Sequence, residues 1–345
     1  MVMRTLEEVL ANHKRVVTEY VLNSLPETHT VEEIRLLYEM MRDYPSRPGK
    51  GLRSSLCILT CEALGGRTED TLITAAALEL FHNWILIHDD VEDRSQIRRG
   101  QPVLHAKYSV PLSINTGDAL HGRTWGVLLE NEGVLGAQRT LRLAKEFLKM
   151  TYETTEGQHM ELSWIEKNTW DLRETDYFLL VEKKTAWYTC VSPCRMGAII
   201  AGAQQKEVEA LVPFGLSLGT AFQITDDLLN LVGDEKKYGK EGGGDIAEGK
   251  RTLLLIRLLE TCPPRDRGRV LEVLGRTRNE KTPDDIEFVI DLMRRHGVLD
   301  HAAAKASEFA SRARSQFDRI FETAPNKAAT ATLSQLIDYM VKREW

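Results

Sequence analysis

No uninterrupted apolar run in this 345-residue chain is long enough to span a bilayer. Met1 to Leu10 holds Arg4, Glu7 and Glu8, so the apolar core of a signal peptide is missing too. A cytoplasmic protein without a transmembrane segment is the expectation. Basic charge is not in excess, with 45 basic against 51 acidic residues and a formal charge of -6. That balance argues against a general nucleic-acid binder and leaves only local basic patches. The five cysteines show no metal-finger spacing, and an odd number fits reduced thiols. Cys57/Cys61 and Cys190/Cys194 each sit four apart, which fits small apolar side chains on buried helix faces. A subunit contact is the minor alternative. There is no Pro-rich or Ser-rich linker and no internal repeat, and period-two alternation is scarce, which leaves little room for β structure.

What is present is helical periodicity, as in Val31-Ile34-Leu37-Met41 and Ile286-Val289-Ile290-Met293. Helices are expected over about 5–23, 30–43, 51–65, 69–92, 112–130, 136–162, 175–190, 207–232, 251–261, 283–296, 299–322 and 327–342. The class is all-α, in one domain over 1–345. The loose stretch from Gly239 to Gly249 reads as an active-site loop.

Two acidic clusters end apolar helical segments: Asp89-Asp90-Val91-Glu92-Asp93 and Asp226-Asp227-Leu228-Leu229-Asn230. Residues four apart share a helix face, so Asp89 stacks over Asp93 and Asp226 over Asn230. Solvated helix ends are the plain alternative. The flanking Trp84-Ile85-Leu86-Ile87 and Phe222, Ile224 and Leu228-Leu229 point instead to partial burial. There, carboxylates about 6 Å apart repel by roughly 3 kcal/mol at an effective dielectric near 20, and a hard cation would relieve that. Gly215 and Gly219 lie on the stripe of Gln223 and Asp226; ligand room and close helix packing both explain them.

Basic groups accompany the acids. Gly49-Lys50-Gly51-Leu52-Arg53 opens a helix, where backbone N–H groups favour anions. Arg98-Arg99-Gly100 follows the first cluster, and arginine's planar fork suits phosphate. Lys183-Lys184-Thr185, and Lys240 through Lys250-Arg251-Thr252 around Asp245, are further groups. Any one of them could be a solvated face; all of them beside acids or glycine turns form a pattern.

In order and spacing from Gly49 to Thr252, these motifs resemble the all-trans polyprenyl diphosphate synthases, the family of farnesyl and geranylgeranyl diphosphate synthases. The matching elements are Gly-Lys-x-x-Arg, His82, Asp-Asp-x-x-Asp, Arg-Arg-Gly, Gly-Gln, Lys-Thr, Gln-x-x-Asp-Asp and Gly-Asp-x-x-x-Gly-Lys. The resemblance implies an isoprenoid-synthase-type helical bundle around a central active-site cavity, and a homodimer. It assigns Asp89, Asp90, Asp93, Asp226 and Asp227 to magnesium, roughly three ions to a site, with manganese able to substitute. Arg98, Lys184, Lys240 and Lys250 would contact the allylic diphosphate, and Lys50, Arg53, His82 and Arg99 isopentenyl diphosphate. Lys184, Thr185 and Gln223 would line the space where an allylic cation forms. His88 is expected to be packed or hydrogen-bonded rather than a base.

Two departures stand out. Asn230 replaces a third Asp, and Glu161 stands where Asp commonly follows Gly157-Gln158. Lys342-Arg343 could reach back over the basic pocket, although a frayed terminus is the plainer reading. Bulk before Asp89 should set chain length, through Trp84, Ile85 or Phe81. The resemblance then implies geranylgeranyl diphosphate first and farnesyl diphosphate second. A terpene cyclase has no use for Lys50, Arg53 and Arg99, a regulatory subunit would have lost acidic ligands, and a helical scaffold would tolerate loss of the aspartates.

Overall fold

The computed structural model describes residues 5–232 and 243–341. Lys240 and Lys342-Arg343 therefore lie outside the described residues. The described chain is helical apart from one two-stranded hairpin, Ile97–Arg98 with Gln101–Pro102. The helices that position the site are α1 (Leu6–Ser24), α2 (Glu32–Ser46), α3 (Leu52–Ala63), α4 (Leu72–Glu92), α5 (Leu104–Lys107), α6 (Val110–Leu129), α7 (Glu132–Leu135), α8 (Ala137–Glu166), α9 (Glu174–Val181), α10 (Ser192–Ile200) and α11 (Gln205–Val232). Between α9 and α10 the backbone runs as a π-helix, Glu182–Val191. The expected helix over 175–190 is thus α9 followed by a widened turn, and such widening recurs at functional sites.

The short helices α5, α7 and Gly244–Glu248 and two longer ones escaped the sequence reading. Ser192–Ile200 carries Pro193, and Pro264–Leu274 opens on Pro263-Pro264. Both prolines occupy a first turn, where the missing N–H costs nothing.

Contacts group the residues into two compact units. The first holds the chain up to Met150, Thr189–Val212 and Phe317–Ile337; the second holds Thr151–Tyr188, Pro213–Gln316 and the chain from Asp338. In the first unit α4 is apolar on nearly every side, so it is a core helix, and α6 packs against it. Gly117 permits the approach: a Cβ there would lie 2.2 Å from His88 Nε2. Likewise a Cβ on Gly197 would lie 2.3 Å from the Cys57 carbonyl oxygen, which seats α10 on α3. All five cysteines are free and buried, and burial, before any neighbouring charge, pushes the Cys57 and Cys190 thiols up. They serve as small apolar residues, as expected.

The core of the second unit gathers Tyr177, Val181, Ile224, Leu228, Leu255 and Met293. Gly219 answers its question in favour of packing, since a Cβ would sit 2.5 Å from Ala186 Cα. The absence of any span-length apolar segment needs one correction. Gln205–Leu231 is long and apolar enough to cross a membrane by length and composition, with a mean hydropathy of 1.2. Its most apolar stretch is 56% buried inside the protein and its C-terminal end carries Asp226 and Asp227, as befits a core helix.

Candidate active site

Asp89, Asp90 and Asp93 end α4, with Asp93 at its C-cap and no basic residue in the last turn. Carboxylates at the negative end of a helix dipole are unfavourable, so helix stability does not account for them. Asp90 is 1% exposed. Tyr44 donates its hydroxyl to Asp90 Oδ2. Arg98 Nε donates to Asp90 Oδ1 at 2.9 Å, and Arg98 Nη2 donates to Asp89 Oδ2 at 3.2 Å. Burial pulls the Arg98 guanidinium down, but the two carboxylates outweigh it and its pKa is raised. Burial, then Asp90, raises that of Tyr44.

Arg98 and Arg99 ride on the hairpin. Its two-residue loop, Arg99-Gly100, has φ of 55° and 74°, the mark of a type I′ turn. A non-glycine residue in that left-handed region costs about 1–2 kcal/mol, so Arg99 is held there by its surroundings. Its guanidinium lies over Gly49, where a Cβ would come within 3.3 Å of Arg99 Cζ. Arg53 Nη2 donates to Thr189 Oγ1 at 2.9 Å, and Arg53 Nη1 lies 3.5 Å from His82 Nε2. Burial, then Arg53, Arg99 and Arg98, hold His82 neutral, so that nitrogen accepts from Arg53. Arg99 is itself lowered by burial and by Arg98, Arg53 and Arg47, with Glu79 opposing. Lys50 is exposed, just before α3, whose N-cap Gly51 has φ 59° and offers no side-chain cap. The structure therefore brings the cationic Arg53 and Arg99 together with neutral His82 beside the start of α3.

Behind Asp89, the Trp84 ring stacks on His121 with centroids 4.1 Å apart and planes 14° apart. Phe81 meets Trp84 edge-on at 5.2 Å, and Trp125 Nε1 donates to His121 Nε2 at 3.1 Å. Phe81 and Trp84 are buried and Ile85 is half-buried. His88 Nε2 lies 3.2 Å from the Ile114 carbonyl oxygen and packs over Gly117, the packed role expected of it.

The second unit holds the other acidic cluster. Asp226 is half-buried and Asp227 is 5% exposed. Tyr177 donates to Asp227 Oδ2 at 2.8 Å and Gln223 Nε2 to Asp227 Oδ1 at 2.7 Å; Gln223 Oε1 in turn accepts from Thr185 at 3.1 Å. Burial first, then Asp245 and Asp226, push the Asp227 carboxyl well above its usual range, against those two hydrogen bonds. Asn230 Oδ1 accepts from the Asp245 backbone N–H at 3.0 Å, and its carbonyl accepts from Gly243 N–H at 2.8 Å. The amide that replaces the third acid thus holds the segment carrying Asp245.

Lys184 pairs with Glu161, while Lys183 is taken by Glu153 and Glu156. Gly157 brings α8 close, since its Cβ would sit 2.3 Å from the Lys184 backbone nitrogen. In Lys250-Arg251-Thr252, Lys250 Nζ lies 3.1 Å from Glu248 Oε2. Arg251 lies 4.1 Å over the Trp170 ring and donates to the Gly249 and Thr169 carbonyls. Thr252 caps the helix Leu253–Thr261.

Sequence reasoning passed over Tyr44, Arg47 and Tyr177. Their only signal was two polar side chains just ahead of Gly49-Lys50, and nothing local marked Tyr177. Among the described residues no three His, Cys, Asp or Glu side chains converge as a ready metal cage. That is compatible with magnesium, which is held through one or two carboxylates together with substrate phosphates and water. The all-oxygen donors Asp89 and Asp226, both partly exposed, fit that ion.

The polyprenyl synthetase profile matches residues 34–293. The chain belongs to the polyprenyl synthetase family. A geranylgeranyl diphosphate synthase from Methanosarcina mazei is 32% identical over 347 residues, covering 100% of both chains. The solved geranylgeranyl pyrophosphate synthetase from Pyrococcus horikoshii superposes with a TM-score of 0.85 at 31% identity, over 98% of this chain and 99% of that one. A polyprenyl synthase from Caulobacter crescentus, solved with calcium and isoprenyl diphosphate, gives 0.84 at 26% identity, over 99% and 97%. The matched span contains the basic and acidic groups described above.

Proposed function

We propose that the chain is a short-chain trans-prenyltransferase that joins an allylic diphosphate to isopentenyl diphosphate head to tail and makes geranylgeranyl diphosphate. The observation that carries this reading is the pairing, within the first unit, of Arg53 and Arg99, with His82 beside them, and the acidic end of α4. Lys50, Arg53, His82 and Arg99 hold isopentenyl diphosphate. Arg98, Lys184, Lys240 and Lys250 hold the allylic diphosphate, and Asp89, Asp90, Asp93, Asp226 and Asp227 hold magnesium. When bound, the metal supplies positive charge to the departing pyrophosphate. Lys184, Lys250 and Arg98 share that load, and because they are held by Glu161, Glu248 and the Asp89-Asp90 pair in advance, little solvent must reorganise as the allylic C–O bond breaks. Lys184, Thr185 and Gln223 flank the cation that forms; the isopentenyl double bond attacks it, making the new C–C bond. The proton then leaves to pyrophosphate, so no side-chain base is required.

The geranylgeranyl product is supported by the names of the relatives and by the aromatic floor at Trp84. The whole chain acts as one synthase domain in the cytoplasm, and a homodimer is supported by Leu112, Ile114, Leu129, Leu141 and Leu148, exposed apolar residues on α6 and α8. The test is incubation with labelled isopentenyl diphosphate, magnesium and dimethylallyl, geranyl or farnesyl diphosphate, then sizing of the dephosphorylated products. A twenty-carbon alcohol is expected, lost with EDTA and in Asp89→Ala. A fifteen-carbon alcohol would make the chain a farnesyl diphosphate synthase. No elongation with any primer would overturn the reading in favour of a regulatory subunit.

A further inference from the structure

Arg47 is a buried arginine outside the motifs, 4% exposed in the last stretch before Gly49-Lys50. Its contacts converge on one target. Nη1 donates to the Arg98 carbonyl oxygen at 2.9 Å and reaches that of Gln101 at 3.5 Å, and Nη2 donates to the Pro102 carbonyl at 2.7 Å. The same guanidinium donates through Nε to Asp43 Oδ1 at 2.7 Å and lies 4.3 Å over the Tyr44 ring. Tyr44 in turn binds Asp90 through its hydroxyl and accepts from Arg99 Nη1 through its carbonyl at 3.4 Å. One planar fork therefore grips three carbonyls of the hairpin and the residue that ties it to Asp90.

We infer that Arg47 is a positioning residue for diphosphate binding: it clamps the carbonyls of the Arg98–Pro102 hairpin so that Arg98 and Arg99 are held in their binding orientation before substrate arrives. The role rests on the proposed function, since it presumes that those arginines take up diphosphates. A fork is needed because a lysine ammonium is a single compact donor centre and cannot span the carbonyls at both ends of the turn. The strained φ of Arg99 is the conformation that this grip maintains. Asp43 keeps a second partner in Lys107, so its charge is not stranded when Arg47 is changed.

The test uses Arg47→Lys and Arg47→Gln in the full chain, with three measurements: calorimetric titration of inorganic pyrophosphate in the presence of magnesium, hydrogen exchange of the amides of residues 96–103, and KM against kcat for isopentenyl diphosphate. Arg47→Lys should bind pyrophosphate about ten- to a hundredfold more weakly, the equivalent of one or two charge-assisted hydrogen bonds lost to disorder. Hairpin exchange should accelerate and KM should rise more than kcat falls. If Arg47→Gln fails to fold, Arg47→Lys alone decides. Pyrophosphate affinity equal to wild type, or weaker binding with unchanged hairpin exchange, would overturn the role. A wild-type chain that does not bind pyrophosphate would overturn it as well. If wild type makes no prenyl product but the titrations still separate the two proteins, the function falls and Arg47's role stands. If wild type condenses substrates and the titrations coincide, only Arg47's role falls.

Discussion

Replacing Trp84 by Ala should lengthen the product. Trp84 precedes Asp89 by five residues, about 7.5 Å along α4 at 1.5 Å per residue, and the proposed function makes it the floor under a growing tail. Its ring is 9% exposed, face-stacked on His121 and edge-on to Phe81. The space left by the ring should stay open, because His121 remains bonded to Trp125 at 3.1 Å and Phe81 remains edge-on to Phe147 at 5.2 Å. Truncating a buried Trp to Ala costs about 3–5 kcal/mol. At about 0.8 kcal/mol per buried CH₂, one further five-carbon unit would recover about 4 kcal/mol by filling the void. The two magnitudes nearly match, so the void that weakens the free protein favours another round of condensation.

The assay is product sizing at 25 °C with farnesyl diphosphate as primer, on protein whose fold is checked by circular dichroism. Wild type should stop at twenty carbons, and Trp84→Ala should pass to twenty-five or thirty while still consuming isopentenyl diphosphate. Trp84→Phe, which keeps an aromatic floor, should stay near twenty. A folded Trp84→Ala that still stops at twenty carbons would refute the reasoning and move the determinant to Phe81 or Ile85.

Asn230→Ala removes the acceptor of the Asp245 amide and should cost about 1 kcal/mol of stability along with turnover, whereas Asn230→Asp keeps the acceptor and should leave the magnesium requirement within about threefold. A drop of more than about tenfold in half-saturating magnesium for Asn230→Asp would show that position 230 faces the metal after all. Gly157→Ala places a methyl against the Lys184 backbone, so overpacking of about 1–3 kcal/mol and displaced Lys184 should lower both melting temperature and turnover; wild-type behaviour in both would refute that approach. His13 is buried and its pKa is lowered by burial from 6.5 to about 4. The unfolded chain therefore takes up a proton below 6.5 that the folded chain refuses until about 4, so this stability is complete above 6.5 and lost as pH falls to 4. At 1.36 kcal/mol per unit the loss is at most about 3 kcal/mol. Urea unfolding at pH 7 and 4 should show a smaller acid loss in His13→Leu, and an equal loss would exclude His13 as the source.

The parts of the site legible in the sequence are those whose chemistry is local. Asp89 and Asp93 stack because residues four apart share a helix face, and Arg98-Arg99 lies near them because the intervening chain is short. Gly157 beside Gln158 was visible as a motif, although its purpose, room for the Lys184 backbone, belongs to another segment. Helix existence was legible wherever the apolar period ran long, as in Pro283–Arg295 despite its first-turn proline, and failed at Ser192–Ile200 and Pro264–Leu274. The hairpin was too short to show alternation, and its strained turn sits on an arginine, a residue that does not announce a positive φ.

The contacts that orient the site were not legible, because their information lies in carbonyls and partners far along the chain. Arg47 reaches carbonyls 51 to 55 residues away, and Tyr177 reaches Asp227 across 50. Neither residue type nor spacing distinguishes them from an ordinary helix-end arginine or a core tyrosine. The same holds for Lys183 and Lys184, adjacent and alike in sequence. The π-helical run through Glu182–Val191 and the approach of Gly157 place Lys184 with buried Glu161, and Lys183 with Glu153 and the more exposed Glu156. The acidic residues of the proposed reaction are thus spaced by helix geometry, which a sequence displays. The residues that hold them in place are selected by tertiary contact, so substitutions at Arg47, Tyr177 or Gly157 should impair the reaction although the motifs remain intact.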